Sequence, residues 1–317
     1  MTTKIRLRAI AAGTSDVGLQ RDHNEDSLVI VGNDGPFVVA DGMGGHRAGD
    51  VASRIATESI AEHFQSRTDS VQLERDGRFS EEENRLLASI RTANRRILER
   101  SLRSKDLQGM GTTVVCALFV PESNRMVIAH VGDSRIYRLR EGFLTQMTRD
   151  HSLFNDYLTA MPDLSEEQRS ELPRNVITRA LGMQDDIPVD LQSDEVMPGD
   201  VYVLCSDGLS GMVEDEDIVT AVSGEADLER ACRLLVRRAN ENGGEDNVTA
   251  LLVRLDPVDG QVSSHSVDNG SGEPVPSDSG EARRNTLPAG TSPPSSSSED
   301  LCSETDDTPP ASRAAPK

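Results

Sequence analysis

Several short stretches of the chain alternate apolar and polar positions as half-buried strands do. Residues 28–31 (Leu-Val-Ile-Val) and 37–40 (Phe-Val-Val-Ala) flank the turn formers Gly32, Asn33, Asp34, Gly35 and Pro36, which predicts a hairpin. Residues 112–120 and 126–128 are separated by Pro-Glu-Ser-Asn and predict a second hairpin. Residues 135–140 alternate again, Val201–Cys205 is a short apolar run, and 247–255 reads as a last strand. Helical spacing appears in three places. In 48–64, apolar positions 48, 52, 55, 56, 60 and 64 share a face; Leu86, Ile90, Ala93 and Ile97 do so in 82–102; Leu228, Ala231, Leu235 and Ala239 do so in 227–239. Hairpins with helices set between groups of strands predict an α+β fold, mainly antiparallel sheet with helices packed outside. Regular βαβ alternation is absent, which disfavours a doubly wound parallel sheet.

Composition divides the chain. The last 61 residues, 257–317, hold 13 Ser, 9 Pro and 5 Gly and no aromatic residue. Such a segment buries too little apolar surface to offset its ordering entropy, so a disordered Ser/Pro-rich acidic tail is expected there. Residues 1–256 are then enough for one large domain. The whole chain carries 33 Lys+Arg against 54 Asp+Glu, a formal charge of −21. That charge argues against nucleic acid and against an anionic membrane surface as partners. The longest apolar run is Val114–Val120, far short of the roughly 20 residues of a membrane span. The N-terminal residues lack the apolar stretch of a signal peptide. Cys116, Cys205, Cys232 and Cys302 are scattered without a CxxC pair, which fits a reducing, cytoplasmic setting.

The candidate chemistry lies where strands end. Asp41 follows Phe-Val-Val-Ala and opens a Gly-rich run; Asp207 follows Val-Leu-Cys-Ser and precedes Gly208; Asp133 follows Ala-His-Val-Gly. Asp246 stands just before the last strand, and Glu25 and Asp26 just before the first hairpin. Each carboxylate is thereby fixed at a sheet edge, and a neighbouring glycine lets backbone carbonyls approach a ligand. Gathered together, such acids repel: two charges 4 Å apart at an effective dielectric of about 20 cost about 4 kcal/mol. They must separate, hold protons, or be neutralised by cations. All-oxygen donors suit Mg²⁺ or Mn²⁺, and two such ions about 3.5–4 Å apart form a hydrolytic clamp. Asp-Gly is also a common turn dipeptide, so the case rests on the group of acids together with Arg21.

Eight blocks occur in order: Arg21-Asp-His-Asn-Glu25-Asp26-Ser, Val39-Ala-Asp41-Gly42-Met-Gly-Gly-His46, Gly109-Met-Gly-Thr-Thr113, His130-Val-Gly-Asp133-Ser-Arg135, Thr148-Arg-Asp-His-Ser152, Ile177-Thr-Arg-Ala-Leu-Gly182, Cys205-Ser-Asp207-Gly208 and Gly243-Gly-Glu-Asp246-Asn247. Together they resemble the bacterial branch of the PP2C-type (PPM) metal-dependent serine/threonine protein phosphatases, over residues 8–255. The resemblance implies a β-sandwich of two antiparallel sheets flanked by antiparallel helix pairs, and hydrolysis of phosphoserine and phosphothreonine with two or three Mn²⁺ or Mg²⁺ ions. By matching positions, Asp41 would bridge both core ions, Gly42 would offer its carbonyl to one, and Asp207 and Asp246 would hold the other. Glu25 and Asp26 would act largely through water on the ions, Asp133 with Asp207 would make a weaker third site, and Arg21 would grip the phosphate. Residues 152–176 fall where the family carries its variable flap.

One position departs from the animal members of that family. They carry Asp-Gly-His at the metal turn, with the histidine a proposed general acid; here the residue is Met43, as is usual in the bacterial branch. A thioether donates no proton at pH 7, so the leaving oxygen must take one from water on the metals or from another group. His46 is expected in helix-start packing, and His130 and His151 in structural roles. The resemblance also implies phosphoproteins as partners, with a cognate Ser/Thr kinase, and a monomer. Two alternatives stay open in the sequence. One is a catalytically weak regulator that binds phosphoproteins, which would show lost ligand positions; none is lost here. The other is a different two-metal phosphoester hydrolase, for which a charge of −21 disfavours a polyanionic substrate.

Overall fold

Eleven strands and seven helices form among the described residues, which in this computed structural model are 5–44, 48–66, 77–173 and 176–258. The tail expected over 257–317 lies, from residue 259 on, outside the described residues, as does His46. The strands make two sheets, antiparallel throughout. The first contains, in spatial order, β1 (Leu7–Asp16), β11 (Val248–Pro257), β10 (Val201–Cys205), β7 (Arg135–Arg140) and β8 (Phe143–Gln146). The second contains β2 (Asp26–Ile30), β3 (Phe37–Met43), β5 (Val114–Val120), β6 (Arg125–Val131) and β9 (Asp190–Glu195), with the short β4 (Gly111–Thr112) paired to the end of β3.

The two sheets pack face to face, and the two-residue period of a strand decides which side chains meet. Phe37 and Val39 of β3 enter the inter-sheet core with Val115, Ala117, Phe119, Met126 and Ile128, against Ile136, Tyr202, Leu204, Leu251 and Val253 of the other sheet. The alternate residues Val38 and Ala40 point outward and are covered by α1 (Ala48–Gln65) and α2 (Glu81–Arg103) through Ala52, Ala56, Ile60, Leu86, Ile90 and Ile97. On the opposite side Val203, Cys205, Ala250 and Leu252 lie under α5 (Asp207–Ser210), α6 (Asp215–Ser223) and α7 (Leu228–Glu241). Central strands are therefore buried on both faces, which is why they read as continuous apolar runs. The layers follow as helix, sheet, sheet, helix, the sandwich that the family resemblance implies.

The helix ends obey local chemistry. Ser80 caps α2 in a reciprocal box: its hydroxyl accepts from Glu83 N, and Glu83 Oε2 accepts from Ser80 N at 2.8 Å. Asp227 caps α7 by accepting from the N–H groups of Glu229 and Arg230. Two further helices, α3 (Leu153–Ala160) and α4 (Glu166–Ser170), lie in the expected flap, which is closed off by an antiparallel bridge between Ser152 and Ile177. Among the described residues, no helix is long and apolar enough to cross a membrane.

Candidate active site

The ends of β2, β3, β6 and β10 and the start of β11 bring the predicted acids to one edge of the sandwich. Asp26 and Asp41 face each other in the register of β2 and β3. The Asp41 carboxyl reaches that of Asp207 and lies in the field of Asp26 and Asp133. Asp207 feels Asp246 and Arg21, and Arg21 Nη2 donates to Asp246 Oδ2 at 2.7 Å. Glu25 feels Arg21 and Asp246 as well. All eight predicted site residues are thus brought together, Gly42 included.

The local scaffold explains how they are held. The predicted strand over 112–120 is broken at Thr113, because that residue serves Asp41 instead of the ladder. Thr113 N donates to Asp41 O at 2.8 Å, and Asp41 N donates to Thr113 Oγ1 at 3.1 Å. Thr112 Oγ1 donates to the same Asp41 carbonyl at 2.8 Å. Asp26 Oδ2 accepts from Ser206 Oγ at 2.8 Å and Thr249 Oγ1 at 2.6 Å, which tie β2 to the other sheet. Asn247 latches the loop before β2: its Oδ1 accepts from Glu25 N at 2.7 Å, and its Nδ2 donates to Val17 O and His23 O, each at 2.9 Å. Sequence reasoning missed Asn247, Thr113, Ser206 and Thr249 as site-builders. All four stand inside or beside the quoted blocks, so hydroxyl or amide residues flanking the acids were the available signal.

Gly42 shows how tight the turn is. Its N–H donates to Glu25 O at 3.1 Å, and a Cβ placed on it would stand 2.1 Å from Gly49 O and 2.6 Å from Glu25 O. The first turn of α1 therefore presses directly on the backbone of the acid-bearing turn. Gly42→Ala is expected to lower unfolding free energy by about 2–4 kcal/mol, since neither contact is a flexible side chain. Denaturant titration measures it, and an unchanged midpoint would refute the close-packing account.

The electrostatics are those of an unfinished site. Of seven buried side-chain N or O atoms without a partner among the described residues, four are carboxylate oxygens of this cluster: Glu25 Oε1, Asp26 Oδ1, Asp133 Oδ1 and Asp207 Oδ1. Burial pushes Asp26 and Asp133 up to about 7, with the charge of Asp207 adding in both. Asp41 is driven well above the carboxylate range by burial and then by Asp26 and Asp207. Burial also raises Glu25 and Asp207. Orphaned buried acceptors and mutually repelling acids both call for cations. The donors are all hard oxygen, so the residues fit Mg²⁺ or Mn²⁺. The thiols of Cys116, Cys205 and Cys232 are free and buried, and burial raises each of them, so none is poised as a nucleophile.

A second group, His130, His151 and Asp190, also brings possible ligand atoms together. Its geometry is structural. The two rings stack with centroids 4.6 Å apart and 13° between planes, so their in-plane lone pairs run side by side instead of converging. His151 Nδ1 accepts from Gly132 N at 3.0 Å, which places its proton on Nε2, 3.3 Å from Asp190 Oδ2. His130 Nε2 donates to Arg149 O at 2.8 Å. The Arg179 guanidinium stands 2.9 Å from Asp190, where it would repel an ion. Burial lowers both imidazoles. The group fastens the two ends of the segment 152–176 to the Asp133 turn: His151 N donates to Gly132 O at 2.9 Å and Thr178 N to His151 O at 2.8 Å.

Comparisons with known proteins agree with this geometry. The family described as Protein phosphatase 2C matches residues 19–253. The serine/threonine phosphatase stp of Listeria monocytogenes serotype 4b is 39% identical over 246 residues, 76% of this chain and 94% of that protein. The crystal structure of the serine/threonine phosphatase PstP/Ppp of Mycobacterium tuberculosis is similar with a TM-score of 0.68 and 36% identity, covering 78% of this chain and 99% of that one. A structure of the catalytic domain of PstP in complex with two manganese ions gives a TM-score of 0.66 and 35% identity, over 79% and 99% of the chains. With the matched residues running from the loop that carries Arg21 to the last strand beyond Asp246, the chain belongs to the Protein phosphatase 2C family.

Proposed function

We infer that the protein is a metal-dependent phosphatase that hydrolyses phosphoserine and phosphothreonine in proteins. The observation that carries this is the set of four orphaned, buried carboxylate oxygens gathered beside an arginine at one sheet edge. Asp41, Gly42 through its carbonyl, Asp207 and Asp246 would hold the two core ions, with Asp41 common to both. Glu25 and Asp26 would act on the ions largely through water, and Asp133 with Asp207 would make a third, weaker site. Bound there, Mn²⁺ or Mg²⁺ supplies an acidified water as nucleophile and countercharge for the phosphoryl oxygens.

The chain's own groups do the rest. Arg21 is half-exposed, with one nitrogen on Asp246 and the remaining donors of its fork free to take two phosphate oxygens. Asp246 fixes the direction of that fork and is itself held by Asn247 N at 2.8 Å. Met43, beside Gly42 at the end of β3, donates no proton to the leaving oxygen.

The substrates are phosphoproteins, and the opposing enzyme is assigned as a Ser/Thr kinase. The protein is assigned to the cytoplasm as a monomer, with 152–176 as its flap; three free buried cysteines fit a reducing compartment. The test is turnover of a phosphothreonine peptide with Mn²⁺, abolished by chelator. Absence of turnover at saturating Mn²⁺ would sink the assignment. Arg21→Lys is expected to lower kcat/KM about 10- to 100-fold, chiefly through KM, because a point charge replaces a two-pronged grip. Unchanged kinetics would remove Arg21 from phosphate binding.

A further inference from the structure

A cavity of about 620 Å³ opens beside the acid cluster, and Asp41, Asp207 and Asp246 do not line it. Arg21, Glu25 and Asn247 form the wall it shares with the site; Asp22 stands on the same loop, and Asp106 and Leu107 form the opposite wall. Both walls are built before any ligand arrives. The Arg21 loop is latched by Asn247 and by Gly244 O, which accepts from Leu19 N at 2.8 Å and Gln20 N at 3.1 Å. The 3-10 turn Lys105–Leu107 is tied down at its exit, where Met110 N donates to Leu107 O at 3.2 Å and Gly109 N to Ser101 Oγ at 3.1 Å.

The lining is amphipathic and its free charge is negative. Arg21 is held by Asp246, and Glu25 belongs to the metal cluster. That leaves Asp22 and Asp106, both exposed and neither with an ionic partner among the described residues. Leu107 is half-buried, packed at the margin of the helix-side core, and offers an apolar surface next to Asp106. An apolar patch rimmed by carboxylates matches one kind of side chain, a methylene stem with a cationic head. Gln20 and His23 add neutral polar groups to the lining, and the Arg21 donors not taken by Asp246 are those assigned to the phosphate.

We propose that this cavity is a peptide subsite that takes a lysine or arginine close to the phosphorylated residue, with Asp22 and Asp106 as its specificity-determining carboxylates. The proposal rests on Arg21 seating the phosphate, since that anchors the peptide next to the cavity. Two exposed carboxylates facing one cation, set against repulsion of an acidic side chain, give a preference of about tenfold, and salt weakens it.

The experiment compares kcat/KM, with Mn²⁺, for two alanine-based phosphothreonine peptides that carry either Lys or Glu at the two residues on each side. p-Nitrophenyl phosphate, which has no flanking residues, reports on the phosphate site alone. The wild type is expected to favour the Lys peptide about tenfold. The double variant Asp22→Asn, Asp106→Asn is expected to bring the ratio near one, and Asp106→Lys to invert it. Glu81→Gln with Glu82→Gln, at the other end of α2 from this turn, controls for overall charge and is expected to leave the ratio as it is. Equal turnover of both peptides by an active wild type would overturn the subsite while leaving the phosphatase assignment intact. So would an equal loss of preference in the control. No turnover of p-nitrophenyl phosphate or of either peptide would overturn the phosphatase assignment and the subsite together.

Discussion

Asp41→Asn is expected to reduce turnover at least about 1,000-fold, an increase of about 4 kcal/mol in the barrier, while the protein remains folded. The argument starts from position. Asp41 stands at the end of a strand buried on both faces, its backbone clamped by Thr112 and Thr113, with Asp26, Asp133 and Asp207 around its carboxyl. As the assigned ligand common to two ions, it needs two anionic oxygens. Asparagine would offer such ions one neutral oxygen and two donors, a set that would hold the pair poorly. Without ions, burial and the neighbouring acids keep a proton on Asp41 that the unfolded chain releases, a cost to folding that asparagine does not carry. Metal-free Asp41→Asn is therefore expected to be more stable than the metal-free wild type, as often holds where a strained site is relieved. Calorimetric titration with Mn²⁺ and thermal unfolding in chelator measure the two halves separately. Wild-type turnover together with wild-type Mn²⁺ stoichiometry would refute the role given to Asp41.

What the sequence made legible follows from burial. Val114–Val120 and Val201–Cys205 are covered on both faces, so they announce themselves as apolar runs. β9, Asp-Leu-Gln-Ser-Asp-Glu, lies at a sheet edge and half in water, and nothing in its pattern marks a strand. β1 escapes for the same reason: seven of its residues are half-buried at the edge of the first sheet, and Ala-Ala-Gly interrupts any alternation. The acids were legible because Asp41, Asp133 and Asp207 each follow a buried run, and Glu25, Asp26 and Asp246 each stand at or just before the start of a strand. Their supports were not. Asn247 acts on Val17, His23 and Glu25, more than 220 residues away, and it does so through backbone groups that leave no trace in the sequence. Asp26 likewise owes its two hydroxyl partners to the packing of one sheet on the other. The cavity beside Arg21 exists only because a loop near residue 20 and a turn near residue 106 fold against each other.

The cluster also fixes how stability should respond to pH and metal. In the unfolded chain an Asp titrates near 3.9; in the fold, burial holds Asp26 and Asp133 up to about 7. Below about pH 4 both states carry these protons, and the groups do not oppose folding. Between about pH 4 and 7 the unfolded chain releases protons that the folded chain keeps, so stability falls as pH rises, by at most about 1.4 kcal/mol per pH unit for each group. In chelator, the unfolding midpoint is therefore expected to drop by about 10 °C between pH 5 and pH 8. Divalent ions act in the opposite sense, because they take the place of the protons and bind the ionised carboxylates more tightly as pH rises. The gap between midpoints in Mn²⁺ and in chelator is expected to be small at pH 5 and to widen through pH 7. Asp26→Asn should flatten the chelator curve, since its amide keeps the hydrogen bonds of Ser206 and Thr249 without a titrating proton. Parallel curves in Mn²⁺ and chelator across this range would mean that the buried carboxylates are neither strained without ions nor relieved by them.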